Sequence, residues 1–203
     1  MSANWLYQSA KTDNLLNEIL VLEQDWQQEF ELQDIQQELE VIIAELMQDV
    51  AAMDEPQQKL YTVTDRLFER YAFTGPGTQW LPEYECQQYS LSFCIKYRTG
   101  QHLVLAVLFR HILRQLGFHA YVAEVEAELT LAVKLSNSEL VIFDVFSGAT
   151  EYLISNDDLK DSLANEVAGF ATPVDDDELL KAVLTEQKIA FIEVGMLPQA
   201  LSC

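Results

Sequence analysis

Three thiols and three imidazoles are the side chains best suited to nucleophilic or metal chemistry: Cys86, Cys94 and Cys203, with His102, His111 and His119. A nucleophilic thiolate needs a neighbour that lowers its pKa, such as a histidine or a helix N-terminus. Cys94 shares its apolar spacing with Leu91 and Ile95, which predicts a buried, structural thiol. Cys86 falls in a loop stretch near Pro82, and Cys203 ends the chain. The cysteines make no CxxC pair and no even set, so they read as free thiols of a reducing compartment. His102 and His111 are nine residues apart on one predicted helix. They therefore point to opposite sides and cannot ligate one metal from one face. His119 follows that helix, at the surface or at a strand start. Neither HxxxH nor HExxH occurs. Asp175-Asp-Asp177 lacks the glycine and closing glutamate of a calcium loop and reads as a helix cap. Neither a metal nor a cofactor is expected.

The elements that must position these groups change character along the chain. Leu15, Leu16, Ile19, Leu22, Trp26 and Phe30 recur at threes and fours, predicting a helix over 12–30. Ile35, Leu39, Ile42, Ile43, Leu46 and Val50 predict a second, with Asp34 as N-cap and Gln37 as its capping-box partner. Pro56 suits the first position of a third helix burying Leu60, Val63, Leu67 and Phe68. Thr74-Gly-Pro-Gly-Thr78 is a turn. A short helix from Ser90 to Tyr97 leads to Gln101–Leu116, apolar on nearly every side, which should run through the core and stop at Gly117. The period then falls to two. His119–Glu126, Leu129–Leu135 and Leu140–Phe146 read as strands around a turn at 136–138. Asn156-Asp-Asp predicts a short helix to about Leu163, and 172–177 a linker into an N-cap. Helices then follow at 178–194 and from Leu197. The layout is α+β: a helical N-terminal lobe (1–73), a core with a buried helix on a small antiparallel sheet (74–155), and C-terminal helices (156–203).

Charge narrows the partners. Against 33 Asp and Glu stand only 12 Lys and Arg, a formal charge of −21. Such a surface repels phosphate backbones and anionic headgroups, which argues against nucleic acid and membrane partners. A basic protein partner fits it better, and charge that simply maintains solubility is the alternative. Met1–Lys11 shows no basic start followed by an apolar run, and the longest apolar run, Leu103–Phe109, is far short of a span. The expected location is cytoplasmic. Trp5 and Tyr7 form a small docking patch or a frayed end.

The stretch from Arg98 to Leu153 resembles the SirB-one family of bacterial transglutaminase-like proteins. The shared features are Arg98-Thr-Gly100, the long helix with small Ala106, Arg114-Gln-Leu-Gly117 and Phe143-Asp-Val-Phe-Ser-Gly148, where Val145 replaces the family's proline. The family is usually followed by TPR repeats, and 188–201 is similar to the turn of one such repeat. The resemblance implies a papain-like core in which a Cys opens the central helix, a His follows on the strands and an Asp orients it. Carried onto this chain, those positions hold His102, Thr130 (Glu128 or Leu129 if the register slips) and Asp144. Cys and His are both missing. The resemblance therefore implies a vestigial cleft bordered by His102, Thr130 and Asp144, with Arg98 as a supporting polar residue. Asp144 would be satisfied by Arg98, His102 or backbone amides. A non-catalytic protein-binding or scaffold role follows. The alternatives are a cysteine hydrolase or acyltransferase with a rebuilt site, and a structural subunit that pairs with itself.

Overall fold

The computed structural model describes residues 14–27, 29–77, 85–125, 127–136, 139–155 and 171–203. The predicted helix at Asn156–Leu163, Trp5 and Tyr7, and Asn137 and Ser138 of the expected turn lie outside them. The described residues begin with α1 (Leu15–Glu23), α2 (Leu32–Val50) and α3 (Pro56–Asp65), which continues through one π turn, Arg66–Arg70. A 3₁₀ turn (Cys86–Tyr89) precedes α4 (Leu91–Tyr97) and α5 (His102–Gln115). The strands β1 (His119–Val125), β2 (Glu128–Lys134), β3 (Glu139–Phe143), β4 (Thr150–Ser155) and β5 (Thr172–Pro173) come next, then α6 (Asp176–Glu193) and α7 (Leu197–Ser202).

The strands form one antiparallel sheet ordered β4-β3-β2-β1-β5. The α+β architecture is as expected. Every residue of α5 from Leu103 to Leu113 is buried, as an all-round apolar helix requires. One apolar cluster joins Leu15 and Ile19 of α1, Leu39 and Leu46 of α2, Val63 of α3, α5, Val122 and Leu131 of the sheet and Val183 of α6. Among the described residues no helix is long and apolar enough to cross a membrane.

Several boundaries differ from the sequence reading. The first helix ends at Glu23 and does not reach Phe30: Gln24, Asp25 and Trp26 donate to the carbonyls of Val21, Leu22 and Glu23, a tightened last turn that closes it. The second begins at Leu32 with Glu31 as an extended N-cap, so Asp34 stands inside the first turn. There its carboxylate complements the helix dipole but caps nothing. The third strand ends at Phe143, so Asp144 belongs to a turn. The segment read as a linker supplies β5, where Ala123 pairs with Pro173 and Glu124 with Thr172. The cap at Asp175 stands: its Oδ1 accepts the N–H of Glu178 at 2.8 Å.

Candidate functional site

The approach to α5 is built by two chain segments laid side by side. Arg98 takes a left-handed conformation (φ 61°) that ends α4. Its carbonyl accepts the N–H of Thr74 at 2.9 Å, and Gly100 N–H returns to Thr74 O at 3.3 Å. Thr99 Oγ1 donates to Gly75 O at 2.9 Å. Gly100 has a packing reason as well. A Cβ there would lie 2.8 Å from Cys94 Sγ, which is fully buried. Arg98-Thr-Gly100 thus delivers the chain to His102, the first residue of α5.

Among the described residues no base or acid is hydrogen-bonded to His102. Its ring meets the edge of Phe146, centroids 5.4 Å apart at 85°. Phe146 lies so close over Gly75 that a Cβ on that glycine would come within 2.7 Å of the ring. Phe146 belongs to the tight loop that follows β3. Asp144 N–H donates to Ala149 O at 3.0 Å and Gly148 N–H donates to Asp144 O at 2.8 Å. The Asp144 carboxylate accepts the N–H of Phe146 on Oδ1 at 2.9 Å and the Ser147 hydroxyl on Oδ2. Of the three sources weighed for Asp144, backbone amides are the one observed, joined by a hydroxyl the sequence reading did not anticipate. This is an Asx-type turn, a local use for a short acid.

Thr130 is buried on β2, and its hydroxyl donates to Phe143 O at 3.2 Å. The three positions named by the resemblance are therefore linked through one loop. Thr130 bonds the residue before Asp144, and His102 packs on the residue two after it. Arg98 stands apart from them. Its Nη2 bonds Glu38 Oε1 on α2 at 2.7 Å, and its guanidinium lies 5.2 Å from the centre of the Phe73 ring.

The thiols lie elsewhere. Burial pushes Cys94 far above the ordinary thiol range, the charge of Glu23 adds to this, and Arg98 partly offsets it. Cys86 is buried, its Sγ 3.7 Å from Met196 Sδ. Burial lifts Cys203 to about 11, and its Sγ is 4.0 Å from Gln187 Oε1. A reactive thiol needs the opposite shift. Among the described residues no group of three His, Cys, Asp or Glu side chains is arranged to hold a metal.

The family model of the transglutaminase-like superfamily matches residues 33–189, most of the chain. The chain belongs to the transglutaminase-like superfamily. No curated protein matches it, and no solved structure does. The matched span contains α5, the sheet and the Asp144 loop.

Two side-chain arrangements escaped the sequence reading. One is the Phe146 ring over His102, which no spacing rule announces. The other is a polar knot around Glu23, only 1% exposed. Its carboxylate accepts five hydrogen bonds: from Ser90 Oγ, Leu91 N–H, Ser92 N–H, Ser92 Oγ and Gln187 Nε2. Ser90 also caps α4 by accepting the N–H of Phe93 at 3.1 Å. A signal for the knot existed. Glu23 stands four residues after Ile19, on the stripe that the helix period buries.

Proposed function

We propose that this transglutaminase-like chain is a non-catalytic, cytoplasmic member of the SirB-one type that works by binding a protein, with a basic partner favoured. The observation that carries the reading is His102 at the head of α5, where the resemblance implies a thiol, with the Phe146 ring against it. Imidazole in that place cannot form a thioester, and the acid of the implied triad is engaged by its own turn. The charge of −21 supports a basic protein partner over nucleic acid. The resemblance implies TPR repeats after the core, and 188–201, similar to the turn of one such repeat, covers the end of α6 and most of α7.

Iodoacetamide labelling of the native protein from pH 5 to 10, resolved for each cysteine by mass spectrometry, tests this. All three thiols should react no faster than ordinary or buried thiols. Rapid reaction of Cys86 or Cys94 with an apparent pKa well below about 8.5 would overturn the reading in favour of a rebuilt cysteine site.

A further inference from the structure

Two unlike edges bound the sheet. At one end β5 is two residues long, too short to template another chain. At the other, β4 runs Thr150-Glu-Tyr-Leu-Ile-Ser155 with neither proline nor lysine. Natural edge strands usually carry such residues to prevent pairing; β4 has Glu151 as its one charge and a bulge only at its start, where Phe143 pairs with Thr150, so the stretch from Tyr152 to Ser155 is where a strand can be added. Among the described residues nothing pairs with its outer side.

A cavity of about 440 Å³ opens beside that edge, between α3 and the face of β3 and β4. Leu60, Phe68, Val141 and Phe143 make its wall apolar. Leu153 and Tyr61, also lining it, are 55% and 72% exposed. Large apolar side chains left open around a groove are characteristic of interaction sites. The volume falls within the range of binding pockets. Asp65 and Glu69 add negative charge to the lining. Their neighbours Arg66 and Arg70 face α2, where Arg66 bonds Asp49 at 3.0 Å and Arg70 bonds Glu45 at 2.7 Å. Asp65 keeps only a 3.7 Å approach from Arg66, and no cation among the described residues pairs with Glu69.

We infer that β4 and this groove receive an extended segment of a partner protein whose groove-facing side chains alternate between aliphatic and Lys or Arg. The segment adds as a sixth strand. Its main chain bonds the free edge of β4, an aliphatic side chain enters the groove beside Leu153 and Tyr61, and a basic one reaches Glu69 and Asp65. Main-chain pairing gives affinity in this mode, and alternate side chains give specificity. A second copy of the chain is a poor occupant, because two bodies of charge −21 repel. This inference rests on the protein-binding reading and adds the place and chemistry of the partner.

The probe is a fluorescein-labelled peptide, Thr-Ile-Thr-Lys-Thr-Ile-Thr-Arg-amide, with binding followed by anisotropy at physiological salt. Two isomers, N-methylated at the odd or the even residues, carry the same charge but block opposite edges of the peptide. One isomer should bind at least about tenfold more weakly and the other near the parent level. Leu153→Asp and Tyr61→Ala, both at exposed positions, should each weaken the parent peptide, and Glu69→Lys should weaken it at least about fivefold. Hydrogen exchange should show the outward β4 amides, those not directed at β3, slowed only when peptide is present. Equal binding of both isomers, or indifference to all three substitutions, would overturn the docking site while leaving the non-catalytic reading intact. Outward β4 amides already protected without peptide would assign the edge to the chain itself. A dimer by light scattering that Leu153→Asp dissociates would assign it to a second copy. Either result overturns the inference.

Discussion

Gln187 on α6 donates its side-chain amide to the buried carboxylate of Glu23 at 2.9 Å, across 164 residues of sequence. The same amide reaches Tyr89 O at 3.0 Å. Glu23 is thus the point at which α1, the start of α4 and α6 are tied together. The apolar core joins these elements without orienting them; the knot supplies directional bonds with five donors around one acid.

Truncation of that acid should be costly. Glu23→Ala leaves the N–H groups of Leu91 and Ser92 buried without an acceptor and the Gln187 amide with Tyr89 O alone, whereas the Ser90 and Ser92 hydroxyls, 2.8 Å apart, can bond each other. At about 1–3 kcal/mol for each orphaned group, relieved in part by relaxation, the expected loss is about 3–4 kcal/mol. Gln187→Leu removes one donor of five and should cost about 1–2 kcal/mol. Urea unfolding of both variants and the double variant checks this. The double variant should be well short of additive, because the second change removes a contact already gone.

The knot should also leave a mark on pH dependence. Burial raises the pKa of Glu23 above the usual 4.5, opposed in part by hydrogen bonds from Ser92, Leu91 and Ser90. The folded state then holds its proton to higher pH than the unfolded chain does. The contribution is fully favourable below the unfolded value and is lost as pH rises through the raised folded value. Glu23→Gln carries no such proton. The stability of the native protein relative to Glu23→Gln should therefore fall as pH rises from about 4 to 8, read by urea midpoints at each pH. A constant difference would place the acid's pKa at its ordinary value.

Two glycines of the candidate site should respond differently to a methyl group. Gly148 has φ +71°, and a Cβ there would lie within 2.5 Å of Phe68; this close approach, together with the left-handed backbone, gives Gly148→Ala an expected cost of about 2–4 kcal/mol. At Gly75 the obstacle is the Phe146 ring, which is 38% exposed and can swing outward. Gly75→Ala should cost about 1 kcal/mol or less. Thermal unfolding of the two variants beside the native protein distinguishes them.

Much of this was legible in the chain, and the exceptions share a cause. The all-round apolar run at 103–109 announced the buried helix, Pro56 announced the start of α3, and Ser90 and Asp175 marked helix starts by their type. Periodicity and capping are local, so they can be read locally. Asp144 was misplaced within a strand because Phe143-Asp-Val-Phe146 is apolar on both sides of it. Only the hydrogen bonds back from Phe146 and Ser147 reveal the turn. Arg110 stands within α5, 2% exposed, and it is tolerated because Asp176, 66 residues on, meets it at 2.6 Å. The partners of Glu23 are as far away. Pairings of this kind are properties of the fold, and no window of sequence contains them.

The contact between His102 and Phe146 is likewise long in sequence, and it can be tested directly. If the ring is what covers the imidazole, Phe146→Ala should expose it without unfolding the protein, since a residue 38% exposed contributes only part of a buried phenylalanine's stability, about 1 kcal/mol here. Diethyl pyrocarbonate should then modify His102 several times faster in the variant, with His111 and His119 unchanged as internal controls. Phe146→Leu keeps an apolar side chain but loses the flat edge and should fall between the two. Equal rates in all three proteins would mean that His102 is reached from another side, and that the Phe146 loop does not close the head of α5.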